Sequence, residues 1–251
     1  MSRTLCVHLL PSLVTPEELA GRAVVVIDVL RATTTIVHAL AQGAAAVVPC
    51  LEIEDARKAA AKLGSAALLG GERGGHAIAG FDLGNSPTEY QSDRVAGKTI
   101  VMTTTNGTRA MLRCQTARRV LIGAFVNFSA ICEQLRDEPH IDLLCAGTDN
   151  QVTREDVLFA GAVVDDIVRC AAATPSSAAI ELNDQALIAL DAWRAAISDL
   201  RDATPLAEHL RSSRGGRNLI DIGHEHDIDI AAHIDRFSVA PELDLRAWQI
   251  T

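Results

Sequence analysis

The chain has 251 residues, of which 48% are hydrophobic and 22% charged, a composition that supports a substantial folded core. Its formal net charge is −9 and its basic residues form no runs, which makes nucleic acids and anionic membranes poor partners. No segment reaches the roughly 18 apolar residues of a membrane span. The six cysteines are widely spaced without a C-x-x-C motif, so neither a zinc site nor a disulfide framework is indicated, and we interpret them as buried thiols. We therefore expect a cytoplasmic protein that acts on a small molecule.

Short β-rich segments alternate with helical patterns along the chain. The predicted strands are residues 5–10, 23–28, 45–50, 67–70, 99–103, 120–123 and 141–146. Helical patterns begin near Thr33, Glu54, Gly107 and Phe128, and a longer one runs from Arg154 to Cys170. This alternation predicts an α/β fold of three layers, α/β/α, with a mainly parallel sheet and a helical C-terminal part.

We interpret residues 1–251 as one domain. The Ala/Ser/Pro-rich stretch near residues 171–179 predicts only a weak subdivision, where the sheet region is joined to a helical tail. In parallel sheets, ligands bind at the carboxyl ends of the strands. Polar residues directly after the predicted strands are therefore the candidates for function.

The stretch T103-T-T-N-G-T-R-A-M111 follows one predicted strand. Asn-Gly is typical of a hairpin, but the helix-forming residues after it favour a strand, a tight turn and then a helix. Such a turn directs backbone N–H groups and hydroxyls toward one point, which predicts an anion site at a helix N-terminus. Residues 24–40 have the same order of strand, Thr-rich turn and helix. The two units either line one cleft or are simply two ordinary β-α units.

Asp28 ends the apolar strand predicted at residues 23–28, and Arg31 follows three positions later. An Asp in this position often caps the next helix. The nearby guanidinium favours a different role, because its shape suits bidentate contact with phosphate or sulfonate oxygens beside a metal or acid group.

Glu72 and Arg73 lie in G70-G-E-R-G-G-H, whose glycine spacing does not fit a dinucleotide fingerprint. Of a flexible surface loop and a ligand-binding loop, we favour the second.

Further polar residues have two interpretations each. Asn85 and Ser86 precede a proline and fit either a helix cap, which we favour, or a substrate contact. Glu155 and Asp156 fall in the first turn of the long helix, where acidic residues complement the helix dipole, but together with other acids they could hold Mg²⁺. The run H224-E-H-D lies in a polar segment, and we predict a solvated face rather than a metal site.

Five blocks, taken together and in order, resemble the 2-phosphosulfolactate phosphatase family. They are V26-I-D-V-L-R-A-T-T-T; L69-G-G-E-R-G-G with G80-F-D-L-G-N-S-P; M102-T-T-T-N-G-T-R-A; C145-A-G-T with R154-E-D-V-L-F-A-G; and S212-S-R-G-G-R-N-L. The resemblance covers the chain from Val24 to about Pro241. It implies an Mg²⁺-dependent, homodimeric phosphatase of α/β/α fold that removes phosphate from 2-phospho-3-sulfolactate on the route to coenzyme M.

The residues that match the family are Asp28, Arg31, Thr33, Glu72, Arg73, Asn85, Ser86, Thr104, Thr105, Asn106, Gly107, Glu155 and Asp156. The polar link T148-D-N-Q-V-T-R departs from the family pattern, where a smaller hydrophobic link is expected.

We assign roles within this set as hypotheses. The catalytic residues are Asp28, Arg31, Glu72 and Asp156, and the candidate Mg²⁺ ligands are Asp28, Glu72, Glu155 and Asp156. The remaining matched residues are substrate contacts, and Arg31 with the turn from Thr104 to Gly107 binds oxyanions. A metal-activated water then attacks phosphorus.

In a rival mechanism Asp28 is itself the nucleophile, as in the haloacid dehalogenase phosphatases. Leu30 stands where those enzymes carry a second aspartate as general acid, which weakens this alternative. Two other functions stay open: a phosphatase of another small phosphorylated hydroxy acid, and a non-catalytic protein that binds a phosphometabolite. Clustered carboxylates favour catalysis over binding alone, because a pure anion site rarely places acids beside a phosphate without a cation.

Overall fold

The computed structural model describes residues 3–173, 179–201 and 206–251. Its strands in these ranges are β1 Arg3–His8, β2 Ala23–Ile27, β3 Ala46–Cys50, β4 Ala67–Arg73, β5 His76–Ala77, β6 Thr99–Thr103, β7 Arg119–Gly123, β8 His140–Cys145, β9 Ile180–Leu182, β10 Leu243–Asp244 and β11 Gln249–Ile250. Its α-helices are α1 Ala32–Ala41, α2 Ile53–Leu63, α3 Ser92–Val95, α4 Asn106–Arg113, α5 Phe128–Leu135, α6 Arg154–Ala172, α7 Asp184–Arg201, α8 Leu206–Arg211, α9 Arg214–Asp221 and α10 His226–Ala231.

The strands form two sheets. The first has the order β7-β2-β8-β1-β9, and all its strands are parallel. The second has the order β10-β11-β3-β6-β4-β5, in which β3, β6 and β4 are parallel and the outer pairs antiparallel. The segment just before β10 joins the two sheets, because Ile122 of β7 donates a hydrogen bond to the carbonyl of Pro241 at 2.9 Å.

Alternation along β2 explains why helices cover both faces of the first sheet. All five residues of this central strand are buried. Val25 and Ile27 face one core, which also contains apolar residues of α5, α6 and α7. Val24 and Val26 face a second core, which contains residues of α1 and α4 and of strands β3 and β6. A strand that is apolar on both faces requires this three-layer arrangement.

Helices α1 and α4 separate the two sheets. Helix α1 contacts both β7 and β3, and α4 contacts β2. Helix α2 packs on β3, β4 and β6 and presents Glu54 and Asp55 in its first turn and Lys62 in its last turn, a distribution that complements the helix dipole. The helices α8, α9 and α10 contact one another near the end of the chain.

The predicted fold class is confirmed: parallel and mixed sheets carry helices on both sides, and the C-terminal part is helical. The seven predicted strands correspond to β1 to β4 and β6 to β8, and the five predicted helices to α1, α2, α4, α5 and α6. The sequence does not reveal the division into two sheets, because the short strands β5, β9, β10 and β11 lack a strong pattern. The predicted subdivision near residues 171–179 falls largely on 174–178, outside the described residues.

The described helices include none with the length and apolar character needed to cross a bilayer. All six cysteines lie within the described ranges, and none forms a disulfide. Cys114, Cys132 and Cys145 are buried as expected, and burial raises the pKa of each thiol. The expectation of buried thiols is wrong for Cys170, which is exposed, and Cys6 and Cys50 are only partly buried.

Candidate active site

The carboxyl ends of strands from both sheets meet around a cavity of about 470 Å³. The first sheet contributes residues after β2 and β8, the second contributes residues at the ends of β4 and β6, and α9 closes the remaining side. The lining residues are Asp28, Leu30, Arg31, Glu72, Arg73, Gly74, Gly75, Asn85, Thr104, Thr105, Asn106, Thr148, Asp149, Gly215, Asn218, Leu219, Asp221 and Ile222. Residues 24–40 and 99–112, the two similar units of the sequence, therefore do line one cleft.

Asp28 lies between the N-termini of two helices. Its Oδ1 accepts a hydrogen bond from the N–H of Ala32 in α1 at 3.3 Å, and the N–H of Gly107 in α4 also donates to its carboxylate. A Cβ on Gly107 would stand 3.0 Å from Asp28 Oδ2 and 2.8 Å from the Cβ of Ala32, so the close approach depends on glycine. The positive ends of two helix dipoles thus meet at one buried carboxylate.

The threonines after Asp28 fix the turn that carries it. Thr33 Oγ1 accepts a hydrogen bond from the N–H of Asp28 at 3.1 Å, and the Thr33 N–H donates to the Asp28 carbonyl at 2.9 Å. Thr34 donates to the carbonyl of Val29 at 2.7 Å, and Thr35 to that of Asn85 at 3.1 Å. Thr33 is fully buried, so the structure places it behind Asp28 rather than among the residues that line the cavity.

Arg31 is held by a buried carboxylate that sequence reasoning missed. Its Nη1 donates to Oδ2 of Asp227 at 2.8 Å, and its Nη2 donates to the carbonyl of Gly75 at 3.0 Å. The hydroxyl of Ser86 donates to Oδ1 of Asp227 at 2.6 Å. Asp227 is 2% exposed, so the prediction of a solvated face for H224-E-H-D is wrong at this residue. Ser86 binds Asp227 rather than lining the cavity.

Glu72 and Arg73 end strand β4, and β5 pairs with them, so they are not part of a flexible loop. The Glu72 carboxylate accepts hydrogen bonds from the N–H of Thr105 at 2.9 Å and the N–H of Gly75 at 2.8 Å. Arg73 donates to Thr105 Oγ1 at 3.1 Å and to the Leu51 carbonyl at 2.5 Å. Both side chains therefore tie the end of β4 to the start of α4.

The turn from Thr104 to Gly107 holds anionic groups, but in this structure they are the protein's own carboxylates. The N–H of Thr105 donates to Glu72 and that of Gly107 to Asp28, while the N–H of Thr108 donates to Thr104 Oγ1 at 3.2 Å. The predicted geometry of a helix N-terminus is present. Its donors orient Asp28 and Glu72, whereas Asn106 is positioned in the cavity wall.

Glu155 and Asp156 lie behind the cavity at the start of α6 and do not line it. Asp156 Oδ1 accepts a hydrogen bond from the N–H of Val29 at 2.9 Å, and its Oδ2 accepts one from the N–H of Gly147 at 3.0 Å. It therefore joins the turn after β2 to the turn after β8. The Oε2 atom of Glu155 is buried and has no hydrogen-bond partner within the described residues.

The pKa of Asp28 is raised to about 7, chiefly by burial and secondarily by the negative charges of Glu72 and Glu155, which together outweigh the two N–H donors. Burial likewise raises the pKa of Glu155 and of Asp156, and the charges of Glu155 and Asp28 add to the effect at Asp156. Three neighbouring buried acids, Asp28, Glu155 and Asp156, therefore all have raised pKa values, because each disfavours negative charge on the others and burial disfavours it on all three. Within the described ranges, no three carboxylate, imidazole or thiol groups are arranged as a metal-binding cluster.

The part of the chain that departs from the family pattern forms a tight turn in the cavity wall. Thr148 and Gln151 exchange backbone hydrogen bonds at 3.0 Å, and Asp149 and Asn150 adopt positive φ values of 52° and 57°. Arg214 of α9 donates to Gln151 Oε1 at 2.6 Å and to Asp149 Oδ2 at 3.0 Å. The polar residues of this link are therefore used to attach α9 to the site.

Helix α9 supplies cavity residues for which we predicted no role. Gly215, Asn218 and Asp221 line the cavity, and α9 begins where the Ser213 side chain accepts a hydrogen bond from the N–H of Gly216 at 3.0 Å. The signal was present in S212-S-R-G-G-R-N-L, one of the motif blocks. It could not be placed at the site because about 60 residues separate it from the nearest predicted site residue.

The model of the family described as 2-phosphosulpholactate phosphatase matches residues 8–245. The chain belongs to this family. It is 42% identical over 227 residues to a protein named "Probable 2-phosphosulfolactate phosphatase" from Symbiobacterium thermophilum, a match that covers 90% of this chain and 92% of the relative. Relatives of the same name are 39% identical in Carboxydothermus hydrogenoformans, covering 94% of this chain and 93% of the relative, and 40% identical in Synechococcus sp. (strain CC9605), covering 90% of each.

Membership of a phosphatase family makes the chain an enzyme, a phosphoric monoester hydrolase. Eight of the thirteen residues that matched the family by motif line the cavity. The other five lie directly behind it: Thr33, Ser86, Gly107, Glu155 and Asp156 contact the turns or residues that form its wall. The cavity therefore brings together the motif blocks of this family that are scattered along the sequence.

Proposed function

We propose that this enzyme hydrolyses 2-phospho-3-sulfolactate to 3-sulfolactate and phosphate in an Mg²⁺-dependent reaction of the coenzyme M biosynthesis type. The names of the relatives supply the substrate. The observation that carries the proposal is the position of Asp28, a buried carboxylate that opens into a cavity also lined by Arg31 and Arg73. A site for a phosphate ester requires both cationic donors for its oxygens and an acid group beside the phosphorus.

The donor chemistry fits Mg²⁺. This ion takes oxygen ligands and is usually bound by one or two carboxylates together with waters and substrate phosphate, so a cluster of three protein ligands is not required. Asp28 and Glu72 line the cavity and would hold the ion, and Glu155 Oε2 is a buried oxygen with no partner in the described part of the chain. Asp156 serves to position the turns, because it lies behind the cavity and its oxygens accept the N–H groups of Val29 and Gly147. When bound, Mg²⁺ would neutralise charge on the phosphoryl group and acidify water.

Asp28 is suited to proton transfer. When no cation is bound, the pKa of Asp28 is raised to about 7, which suits its carboxylate to take a proton from an attacking water near neutral pH and to return it. The N–H groups of Ala32 and Gly107 fix its orientation toward the cavity. In the alternative, one of its oxygens attacks phosphorus directly, and an acid-stable label on Asp28 after rapid quenching would identify that path.

The substrate carries three anionic groups, and the cavity offers donors for the two that a single cation does not neutralise. Arg31 has two of its five N–H donors engaged with Asp227 and Gly75, which leaves others for oxyanions. Arg73, Asn85 and Asn106 also reach the cavity wall. We assign Arg73 to the group remote from the phosphate.

A screen of phosphorylated hydroxy acids with purified protein and Mg²⁺, read out as released phosphate, tests the substrate. We expect 2-phospho-3-sulfolactate to give the highest kcat/KM, and a clear preference for an ester without the sulfonate would refute the assignment.

A homodimer and a cytoplasmic location belong to the same proposal. Six cysteines without a disulfide are typical of a reducing compartment, and light scattering of the purified protein tests the dimer.

A further inference from the structure

A second cavity, of about 320 Å³, lies on the other side of Asn106 from the candidate active site. Asn106 lines both cavities. The turn after β8 also contributes to both, with Thr148 and Asp149 in the first and Ala146 and Asn150 in the second. The second cavity is therefore adjacent to the catalytic one and separated from it by the first residue of α4 and one tight turn.

The charge of the second cavity is opposite in character to that of the first. Four carboxylates line the catalytic cavity, those of Asp28, Glu72, Asp149 and Asp221. The second cavity is lined by two arginines, Arg109 and Arg113, and by no acidic residue. This local positive charge occurs in a chain with a net charge of −9. A cavity with cations and no acids attracts an anion without the help of a metal.

The two arginines of the second cavity have no polar partner in the described part of the chain. They are four residues apart on α4, so their side chains lie on the same face of the helix. Within the described residues, neither makes an ion pair or a side-chain hydrogen bond, whereas Arg31 is paired with Asp227 and Arg73 with Thr105. Guanidinium groups suit bidentate binding of carboxylate, sulfonate or phosphate oxygens.

The rest of the second cavity is suited to the body of an organic anion. Pro11, Pro16, Leu112 and Ala146 supply apolar surface, and the amide side chains of Asn106 and Asn150 supply neutral polar groups. Ligand sites commonly combine apolar walls with a few polar groups that fix orientation. An inorganic anion would use only the arginines, whereas a short organic anion would use both kinds of surface.

We propose that the second cavity is a binding site for a small organic anion that carries a phosphate, phosphonate, sulfonate or carboxylate group on a short apolar body. Arg109 and Arg113 bind its oxyanion, and the apolar wall contacts its carbon atoms. The source is either the remote anionic group of the substrate in the adjacent catalytic cavity or a separate metabolite. The inference does not depend on the hydrolytic activity proposed above.

Calorimetric titration of the purified full-length enzyme with propylphosphonate, which cannot be hydrolysed as an ester, tests this site. We expect the double variant Arg109→Gln/Arg113→Gln to lose at least about tenfold in affinity, because each arginine supplies charge-assisted hydrogen bonds. Arg136→Gln, which removes an exposed arginine outside both cavities, is the matched control and should bind as the wild type does. Propylphosphonate should also bind several-fold more tightly than inorganic phosphate.

A second variant distinguishes loss of the binding site from loss of folding. Ser12 is exposed at the cavity, so Ser12→Trp should fill it without changing a buried residue, and it should also abolish this binding event. Wild-type affinity and stoichiometry in both variants would overturn the proposal, as would equal losses in the Arg136→Gln control. If binding is lost, the KM of the double variant for 2-phospho-3-sulfolactate identifies the source: a raised KM assigns the site to the substrate, and an unchanged KM assigns it to a separate anion.

Discussion

Arg31 and Asp227 form a buried ion pair across 196 residues of chain, with an N–O distance of 2.8 Å and both side chains 3% exposed. The pair joins the turn after β2 to α10, and the same Asp227 accepts a hydrogen bond from the hydroxyl of Ser86. Removing one partner of such a pair leaves the other charge buried without compensation, which is far more costly than loss of an exposed pair. The orientation of Arg31 in the cavity thus depends on the last helix of the fold.

We therefore expect Asp227→Asn to lower the free energy of unfolding by roughly 2–4 kcal/mol and kcat/KM by at least about tenfold. Asp229→Asn is the matched control, because Asp229 lies on the same helix and pairs with Arg211 at the surface. An exposed pair contributes about 0–1 kcal/mol. Urea unfolding and steady-state kinetics of both variants measure the difference. Similar small effects in the two would show that Arg31 does not need its partner.

Asp28→Asn should reduce kcat by roughly 10²-fold or more, the scale of losing one positioned acid, base or electrostatic group. The amide retains the shape of the side chain and removes a buried charge, but its NH2 group cannot accept one of the two N–H groups that the carboxylate accepts, so we expect only a small change in thermal stability. Phosphate release and the melting temperature measure the two effects. Near-normal turnover in the folded variant would leave Asp28 as a helix cap only.

Treatment with EDTA should abolish phosphatase activity, and Mg²⁺ should restore it. The acids at the site repel one another, so bound Mg²⁺ should also raise the melting temperature of the wild type more than that of Glu72→Gln. Glu54→Gln, an exposed acid on α2, provides the control for general effects of charge. Full activity of chelator-treated, metal-free enzyme would exclude this requirement.

Arg73→Ala should weaken kcat/KM for 2-phospho-3-sulfolactate by about 1.5–3 kcal/mol and hardly affect a small aryl phosphate that lacks the second anion. Because Arg73 also binds Thr105 Oγ1, the variant Thr105→Val serves as a control that removes this contact but keeps the guanidinium. Equal losses on the two substrates would mean that Arg73 acts on the phosphate or on the local structure.

His38 predicts a pH dependence of stability that is independent of the active site. It is buried in α1 against Phe237, neither ring nitrogen has a hydrogen-bond partner in the described structure, and burial together with the charge of Arg236 lowers its pKa to about 4. The unfolded chain binds a proton near pH 6.5, but the folded one does not, so stability is lost as the pH falls from 6.5 toward 4.

Replacing His38 with Leu should remove this dependence. Between pH 7 and pH 5, the free energy of unfolding of the wild type should fall by about 1–2 kcal/mol more than that of the variant. Urea unfolding of both proteins at both pH values measures this difference. An identical pH dependence in the two proteins would mean that folding does not lower the pKa of His38.

The local elements of this protein were predictable from its sequence alone. Strands such as β2 are apolar at every position and can only be central, and the Thr-Asn-Gly turn is followed by helix formers, so the order β2–α1 and β6–α4 was predictable. The ordered motif blocks also identified the family, which the match over residues 8–245 confirms. These features depend on neighbours in the sequence.

The assembly of the site, in contrast, depends on contacts that form only in the folded chain. The sequence could not place Asp227 against Arg31 or bring α9 into the cavity, because these contacts join segments far apart in the chain. It also could not show that the N–H groups of Thr105 and Gly107 hold Glu72 and Asp28, or that Asp156 links two turns. A polar residue after a strand is compatible with several partners. The packing of two sheets around α1 and α4 determines which groups lie within hydrogen-bonding distance of each buried polar side chain. Because buried polar groups need hydrogen bonds, each side chain binds the partner that the packing brings next to it.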